Sequence, residues 1–322
     1  MQATGEPHIG SYFGAIRNWV GFQNEGECLY CIVDLHSLTV RQEPDSLREN
    51  ARKLLALYIA LGLDPEKSIL YYQSHVPAHA ELAWILNCFT YVGELNRMTQ
   101  YKDKSQRNAD NINAGLYTYP VLMSADILLF NADFVPVGDD QKQHLEICRD
   151  VAGRFNQIFG DFFTIPEPFI GKTGARIMGL QDPERKMSKS ESENENNLVF
   201  LLDDADAVTR KFKRAVTDSG GEIIFMPDSK PGVSNLLMIY ACATGKTIDE
   251  CETEFAGLGY GAFKSAVGET VAGLLKPVRK RFDELKADPA YLNKIIKTNA
   301  ARANEKAAET LSKVKKIIGL PD

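Results

Sequence analysis

The stretch "CLYCIVDL" at residues 28–35 is a continuous run of apolar and β-forming residues. Such an uninterrupted run is typical of a parallel strand that is buried on both faces of its sheet. The stretch that follows, residues 45–65, repeats leucine and tyrosine at helical spacing and then meets Gly62 and Pro65, which stop a helix. A buried strand followed by an amphipathic helix is the first half of a βαβ unit.

The same alternation continues along the first two thirds of the chain. Further β-rich runs and helical patterns follow one another at 68–74 (strand), 79–95 (helix), 115–130 (helix), 134–138 (strand) and 139–160 (helix). This order predicts an α/β fold with a doubly wound parallel sheet, whose ligands bind at the carboxyl ends of the strands. Residues 192–322 are mostly helical in pattern, which predicts a second, helical domain.

Composition narrows the class of protein. The 322 residues suit two domains, and no apolar run reaches the roughly 18 residues that a membrane span needs. The N-terminus has no basic-then-apolar signal pattern, so we expect a cytoplasmic protein. Six scattered cysteines in segments that look buried predict reduced thiols and no disulfide framework: Cys28, Cys31, Cys88, Cys148, Cys242 and Cys251.

Charge is distributed unevenly. The net charge is −6, but from Lys276 onward 12 Lys and Arg face 6 Asp and Glu, so this tail carries +6 and residues 1–275 carry −12. A basic tail is compatible with a local polyanion contact, and equally with a solvated helix that has a surplus of lysine.

Two short segments carry the pattern of a phosphate site. In "PERKMSKSE" (183–191), Lys186 and Lys189 stand among serines with no hydrophobic period, as in a loop that offers mobile cations and hydroxyl donors. In "TGEPHIGSYFGAIRNWV" (4–20), Gly10 removes a side chain where the backbone approaches a ligand, and the helix beginning near Ser11 favours anions. Alone, the second segment favours a capped surface helix over a ligand site.

Together these segments resemble the paired "HIGH"-like and "KMSKS" signatures of the class I aminoacyl-tRNA synthetases. Five more stretches resemble the bacterial tryptophanyl-tRNA synthetases, in the same order: "GELNRMTQYKDKS" (93–105), "YPVLMSADILLF" (119–130), "VPVGDDQKQHLEICRDVAGRFN" (135–156), "GARIMGLQDPERKMSKS" (174–190) and "AVTDS" (215–219). The match runs from about residue 2 to 240 and is weaker beyond.

The resemblance implies a domain plan and a reaction. A Rossmann-like, HUP-type catalytic domain would span 1–190, an anticodon-binding helical domain 191–288, and a C-terminal helix at 289–322 would pack back on the first. The chain would join L-tryptophan to tRNA(Trp) through a tryptophanyl-adenylate, with ATP as substrate, Mg²⁺ to bridge its phosphates, and a homodimer as the working form. No membrane or DNA partner is expected.

The resemblance also implies which residues act. Lys186, Lys189 and Ser188 would be catalytic, because adenylate formation joins two anions and depends mainly on positioning and charge neutralisation. His8 takes a modest part, and Lys104 reads equally as a solvated surface lysine. The implied ATP-binding residues are Gln2, Ala3, Thr4, Gly10, Ser11, Lys104, Gly138, Asp139, Asp140, Ile177, Lys186, Met187, Ser188, Lys189 and Ser190.

Substrate choice is expected to rest on Asp126, the conspicuous carboxylate on an apolar helix. The indole N–H is a donor only, so an acceptor-only aspartate fits it. The alternative is a buried acid paired with a neighbouring Arg or Lys. The other implied tryptophan-binding residues are Met123, Gln141, Tyr119, Val135 and Val137.

We expect no metal site. Cys28 and Cys31 would point to opposite faces of a strand and read as core residues, and His75 and His79 bracket Pro77 at a helix start.

The sequence also departs from the family's pattern. Ser11 replaces the usual Asn, and Ala3 the usual Pro. The strand that normally precedes "QPTG" is missing before Gln2, and we expect a mis-set or trimmed start rather than a sheet without its central strand.

Three other functions stay open. They are a tyrosine-specific relative of the same fold, a free-standing nucleotidyltransferase with the "HIG" signature, and a non-catalytic paralogue that binds RNA or tryptophan.

Overall fold

The structure, a computed structural model, describes residues 1–102, 111–138, 141–169, 175–188 and 194–321. Its strands are β1 (Leu29–Ile32), β2 (Ile69–Tyr72), β3 (Phe134–Pro136) and β4 (Glu167–Phe169). The first three lie within the stretches predicted as strands, and β4 was not predicted. β1 pairs in parallel with β2, and β3 pairs in parallel with β4.

Both pairs are parallel, which confirms the predicted sheet type, but within the described residues they form two separate two-stranded sheets. In β1–β2, Leu29 is opposite Ile69 and Ile32 is opposite Tyr72. The backbone of Met1 also bonds to β1, because its amino group donates to Cys31 O over 3.0 Å and Val33 N donates to Met1 O over 3.1 Å.

Helices surround the strands and make up the second half of the chain. In the first half they are α1 (Ile9–Ser11), which continues through a π-helical turn (Tyr12–Ile16) into α2 (Arg17–Phe22), then α3 (Asp34–Ser37), α4 (Pro44–Ala60), α5 (Ala78–Asn87), α6 (Val92–Asn96), α7 (Ala114–Leu128) and α8 (Lys142–Phe159). In the second half they are α9 (Ala205–Lys213), α10 (Pro231–Thr244), α11 (Ile248–Phe255), α12 (Tyr260–Lys286) and α13 (Pro289–Ile317). None of these helices combines the length and the apolar character needed to cross a bilayer.

The helix predicted over residues 79–95 is wrong in one respect, because the structure divides it into α5 and α6. Tyr91 has an extended backbone, and its N–H donates to the Glu94 carboxylate over 2.9 Å in a capping box. Such a cap satisfies backbone donors at a helix start and so favours a new helix at this point.

The C-terminal helix α13 lies against the first half of the chain. Ala303, Ala307 and Val314 are fully buried in the same apolar cluster as β2, α5 and α7 residues. Arg302 donates to the carbonyl oxygen of Ser68 over 3.4 Å, and Asn304 donates to that of His75 over 2.7 Å. These contacts agree with a helix that packs back on the catalytic part, while the domain boundaries stay a prediction.

All six cysteines are free thiols, but their burial is more varied than predicted. Cys148 and Cys251 are buried, Cys28, Cys31 and Cys242 are intermediate, and Cys88 is exposed. The prediction that all lie in buried segments is therefore wrong for Cys88, which faces outward near the end of α5.

Candidate active site

The described part of the lysine-serine segment is anchored by its methionine. Met187 is buried, and its N–H donates to the carbonyl oxygen of Ile177 over 3.0 Å. Met178 and Lys186 form an antiparallel bridge beside it. Beside this short pairing Lys186 is exposed and Ser188 is half-buried, so the backbone of the described part of the segment is firmly held.

The N-terminal signature packs against that base. Adding a Cβ to Gly10 would bring it within 2.9 Å of His8 Nδ1 and 3.3 Å of Met187 Cβ. Gly10 therefore allows the two signature segments to approach each other. This packing is a second reason for a glycine at this position, beside the predicted close approach of a ligand. Ser11 Oγ lies 3.2 Å from His8 Nε2, and the π-helical turn begins immediately after Ser11. Such turns occur often at functional sites, and no sequence pattern indicated this one.

Residues 2–4 are tied to α3, directly after β1. Gln2 Nε2 donates to the His36 carbonyl over 3.4 Å, and Ala3 N donates to Ser37 Oγ over 3.1 Å. Thr4 is exposed. Gly138 follows β3 and accepts from Gln141 N over 2.9 Å. The predicted ATP residues therefore include groups just beyond the carboxyl ends of β1 and β3, where ligands of parallel sheets bind.

Five predicted residues lie outside the described residues: Lys104, Asp139, Asp140, Lys189 and Ser190. Their roles, like those of the other assigned site residues, stay predictions.

Asp126 lies on one face of α7 with Tyr119 and Met123, which precede it by seven and three residues. Its Oδ1 accepts from Gln73 Nε2 at 2.6 Å and lies 2.7 Å from His79 Nδ1, while Oδ2 lies 2.9 Å from His36 Nε2. Within the described residues its partners are thus two imidazoles and an amide, and the Arg or Lys pairing that we considered is not observed.

These contacts set the charge of the carboxyl group. Burial by itself would raise the pKa of Asp126, but the hydrogen bonds from His36 and His79 outweigh it and hold the pKa well below its usual range. Asp126 is therefore an ionised acceptor at neutral pH. Its side chain is still 13% exposed, so a ligand can reach it.

Tyr119 contacts one of the residues that bond to this carboxylate. The Tyr119 ring lies edge-on to His36, with ring centroids 6.1 Å apart, and its hydroxyl lies 2.7 Å from His144 Nε2. Met123, Val135 and Val137 are half-buried against the cluster that contains α7. Apolar side chains with a few polar groups are what a pocket for an aromatic ring requires, so the role of these three residues stays a prediction.

The donors His36, Gln73 and His79 were not predicted as site residues. His36 and Gln73 lie 90 and 53 positions from Asp126 in sequence, so no local pattern links them. A signal did exist, because His36 and Gln73 follow parallel neighbours, β1 and β2, whose carboxyl ends lie at one edge. His75 is exposed and packs on Tyr72, with ring centroids 5.1 Å apart.

Comparisons with known proteins show the family of the chain. Residues 1–276 match the family model described as "tRNA synthetases class I (W and Y)". A tryptophan–tRNA ligase of Clostridium tetani (strain Massachusetts / E88) is 55% identical over 319 residues, which cover 99% of this chain and 94% of that protein.

Solved structures give the same result. Tryptophanyl-tRNA synthetase of Mycoplasma pneumoniae is 33% identical with a TM-score of 0.91, and the match covers 100% of this chain and 96% of that one. The Campylobacter jejuni enzyme, solved with ADP and tryptophan, is 35% identical with a TM-score of 0.84 over 99% of this chain and 98% of that one. The fold, the two signature segments and these full-length matches place the chain in the class I tRNA synthetases, in the group of the tryptophanyl-tRNA synthetases.

Proposed function

We propose that the protein is a tryptophan–tRNA ligase, which activates L-tryptophan with ATP and transfers it to tRNA(Trp). The observation that carries this proposal is the ionised Asp126 carboxylate, held by three donors and still accessible on an otherwise apolar helix. Among the described residues, its oxygen Oδ2 has one neighbouring donor, His36, and so keeps a lone pair for the indole N–H.

Activation of tryptophan depends on positioning the two reactants and on neutralising their negative charge more than on proton transfer. The tryptophan carboxylate attacks the α-phosphorus of ATP, and pyrophosphate leaves with additional negative charge. Lys186 and Lys189 would offset this charge as mobile ammonium groups, and Ser188 would donate a hydrogen bond to a phosphate oxygen. The buried Met187 supports this assignment, because it holds one end of the segment while the cations next to it can follow the phosphates.

Selection of tryptophan follows from the one acceptor position on Asp126 that only a substrate donor can fill. A site built around one hydrogen bond to a substrate rejects an analogue that lacks the donor by roughly 10⁴–10⁵-fold. Phenylalanine and other apolar side chains have no donor, so binding them would leave Asp126 without its substrate partner. The hydroxyl of tyrosine could donate, which is why tyrosine is the competitor that has to be tested.

Mg²⁺ would enter with the nucleotide. The nucleotide side of the described site offers hydroxyls, backbone groups and Lys186 rather than carboxylates, which fits an ion held by ATP phosphates and water. When bound, the ion neutralises phosphate charge.

The tRNA would bind to the helical half, residues 191–288, and to the basic surface next to it. Helix α12 exposes Lys276, Lys280 and Lys286. By contrast, two lysines of α13 pair with acids of the first half, Lys306 with Glu27 at 2.9 Å and Lys315 with Glu81 at 2.8 Å. Part of the tail's positive charge thus serves helix docking, and the exposed lysines of α12 favour polyanion contact.

The protein would act as a homodimer in the cytoplasm. Trp84 is 72% exposed on α5, one turn before the exposed Cys88, and Tyr91 and Val92 at the start of α6 are 62% and 65% exposed. A surface this apolar suits a second copy of the chain. The free cysteines suit a reducing compartment.

ATP–pyrophosphate exchange, followed by charging of tRNA(Trp) transcript, tests the proposal. We expect exchange that depends on tryptophan and charging that depends on the tRNA. Exchange driven equally well by tyrosine would assign the tyrosine-specific relative, and repeated turnover to a released, stable adenylated product without tRNA would assign a nucleotidyltransferase. Tryptophan or RNA binding without exchange would assign a non-catalytic paralogue.

A further inference from the structure

Two buried side chains, His79 and Tyr71, extend the set of polar groups around Asp126 into the core. His79 at the start of α5 is fully buried, and its Nδ1 lies 2.7 Å from Asp126 Oδ1. Its other ring nitrogen, Nε2, lies 3.1 Å from the hydroxyl of Tyr71 on β2. The order Tyr71, His79, Asp126 therefore leads from the core to the acceptor that faces the substrate.

We propose that Tyr71 and His79 are positioning residues that fix the Asp126 carboxylate as the acceptor for the indole N–H of tryptophan. This inference rests on the proposed function, and it adds two residues that do not touch the substrate.

The first step is the direction of the Tyr71 hydrogen bond. Burial raises the pKa of Tyr71 well above its usual value, and the electrostatic effects of Cys31 and Asp126 raise it further, so the hydroxyl keeps its proton. The Cys31 thiol also contacts this hydroxyl, but a thiol sulfur is a weak acceptor and an imidazole nitrogen is a strong one. Tyr71 O–H therefore donates to His79 Nε2.

The second step is the tautomer of His79. A neutral imidazole carries one proton, and an Nε2 that accepts a hydrogen bond leaves that proton on Nδ1. His79 Nδ1 then carries its proton 2.7 Å from Asp126 Oδ1, the oxygen to which Gln73 Nε2 donates over 2.6 Å. With two donor nitrogens this close, Oδ1 has no room for a third, and Oδ2 is the oxygen left for the substrate.

The third step is the rigidity of the pair. The rings of Tyr71 and His79 are stacked, with centroids 5.7 Å apart and an interplanar angle of 17°, and Phe130 lies against both at 6.0 and 5.7 Å. Packing thus holds both rings in one orientation. The tautomer of His79 can still change, and the hydrogen bond from the Tyr71 hydroxyl determines it.

Without the hydroxyl, the His79 proton can move to Nε2, and the Nδ1 lone pair would then face the carboxylate. The repulsion would displace Asp126 and weaken its bond to the indole. The effect should be specific for substrates that carry an N–H, which distinguishes a positioning role from a general loss of structure.

The experiment compares tryptophan with β-(benzothiophen-3-yl)alanine, in which sulfur replaces the indole N–H, in ATP–pyrophosphate exchange. In Tyr71→Phe, we expect the KM for tryptophan to rise about tenfold, with the KM for ATP unchanged, and the preference for tryptophan over the sulfur analogue to fall by a similar factor. Tyr58→Phe is the matched control. Tyr58 is equally buried, its hydroxyl has no hydrogen-bond partner among the described residues, and its loss should leave the preference unchanged.

A second background tests the tautomer itself. In His79→Asn, the amide can donate to Asp126 from near the Nδ1 position and cannot tautomerise, so adding Tyr71→Phe should cause no further loss of preference. Full additivity of the two changes would contradict the proposed mechanism.

The remaining outcomes separate the two proposals. If Asp126→Asn lowers the preference for tryptophan and Tyr71→Phe does not, the positioning role is refuted and the role of Asp126 stands. If Asp126→Asn leaves the preference intact, the assigned role of Asp126 fails, and the inference fails with it. Equal losses with tryptophan and the sulfur analogue in Tyr71→Phe would identify a structural role only.

Discussion

Replacing Asp126 by asparagine exchanges one carboxylate oxygen, which accepts hydrogen bonds, for an amide NH₂ group, which donates them. Oδ1 faces two donors, Gln73 Nε2 at 2.6 Å and His79 Nδ1 at 2.7 Å, so the amide oxygen of the introduced asparagine would occupy this place. The amide NH₂ would then stand where Oδ2 is now, facing His36 Nε2 and the indole N–H. A donor would thus meet the substrate's donor.

The expected loss of kcat/KM follows from the hydrogen bond between Asp126 and the indole N–H, which the substitution removes. A hydrogen bond to a charged group contributes roughly 1.5–3 kcal/mol, so kcat/KM for tryptophan in Asp126→Asn should fall about 10- to 150-fold. The KM for ATP should stay the same, because the nucleotide side of the site is formed by other segments. Initial rates of pyrophosphate exchange at varied tryptophan and ATP measure both quantities. A kcat/KM for tryptophan within about threefold of the unmodified enzyme would refute the reasoning.

Three further changes test other parts of the account. Lys189→Ala should slow adenylate formation in single-turnover assays far more than it weakens tryptophan binding by calorimetry, and an unchanged rate would remove the loop from catalysis. Trp84→Glu should convert dimer to monomer in sedimentation velocity, because it places a charge on the exposed apolar surface, and a dimer that persists would place the interface elsewhere. Gly232→Ala should lower the unfolding free energy by about 1–3 kcal/mol in urea, because its Cβ would lie 2.1 Å from the Val216 carbonyl oxygen, whereas Gly273→Ala, with open space around it, should not lower it.

The sequence predicted much of the framework because local patterns carry it. The run at 28–35 contains β1, the leucine period at 45–65 contains most of α4, and the apolar segment at 115–130 is α7. The division between α5 and α6 was missed because it depends on a capping box formed by Tyr91 and Glu94, which interrupts an otherwise continuous pattern.

The site was predicted only in part, because only part of it is visible in local sequence patterns. Asp126 is conspicuous in the sequence, since it is a single carboxylate on an apolar helix. Its donors His36, Gln73 and His79 come from three other segments, and only the parallel pairing of β1 with β2 and the packing of α5 bring them to it. Sequence reasoning considered His79 beside His75, its neighbour along the chain, whereas the fold places it against Asp126.

The most direct test of the central claim is a crystal structure of the protein with tryptophan. We expect the indole nitrogen to lie within about 3.2 Å of Asp126 Oδ2, while Gln73 and His79 remain in contact with Oδ1. An indole nitrogen that bonds to another group, while Asp126 keeps only its protein partners, would contradict it.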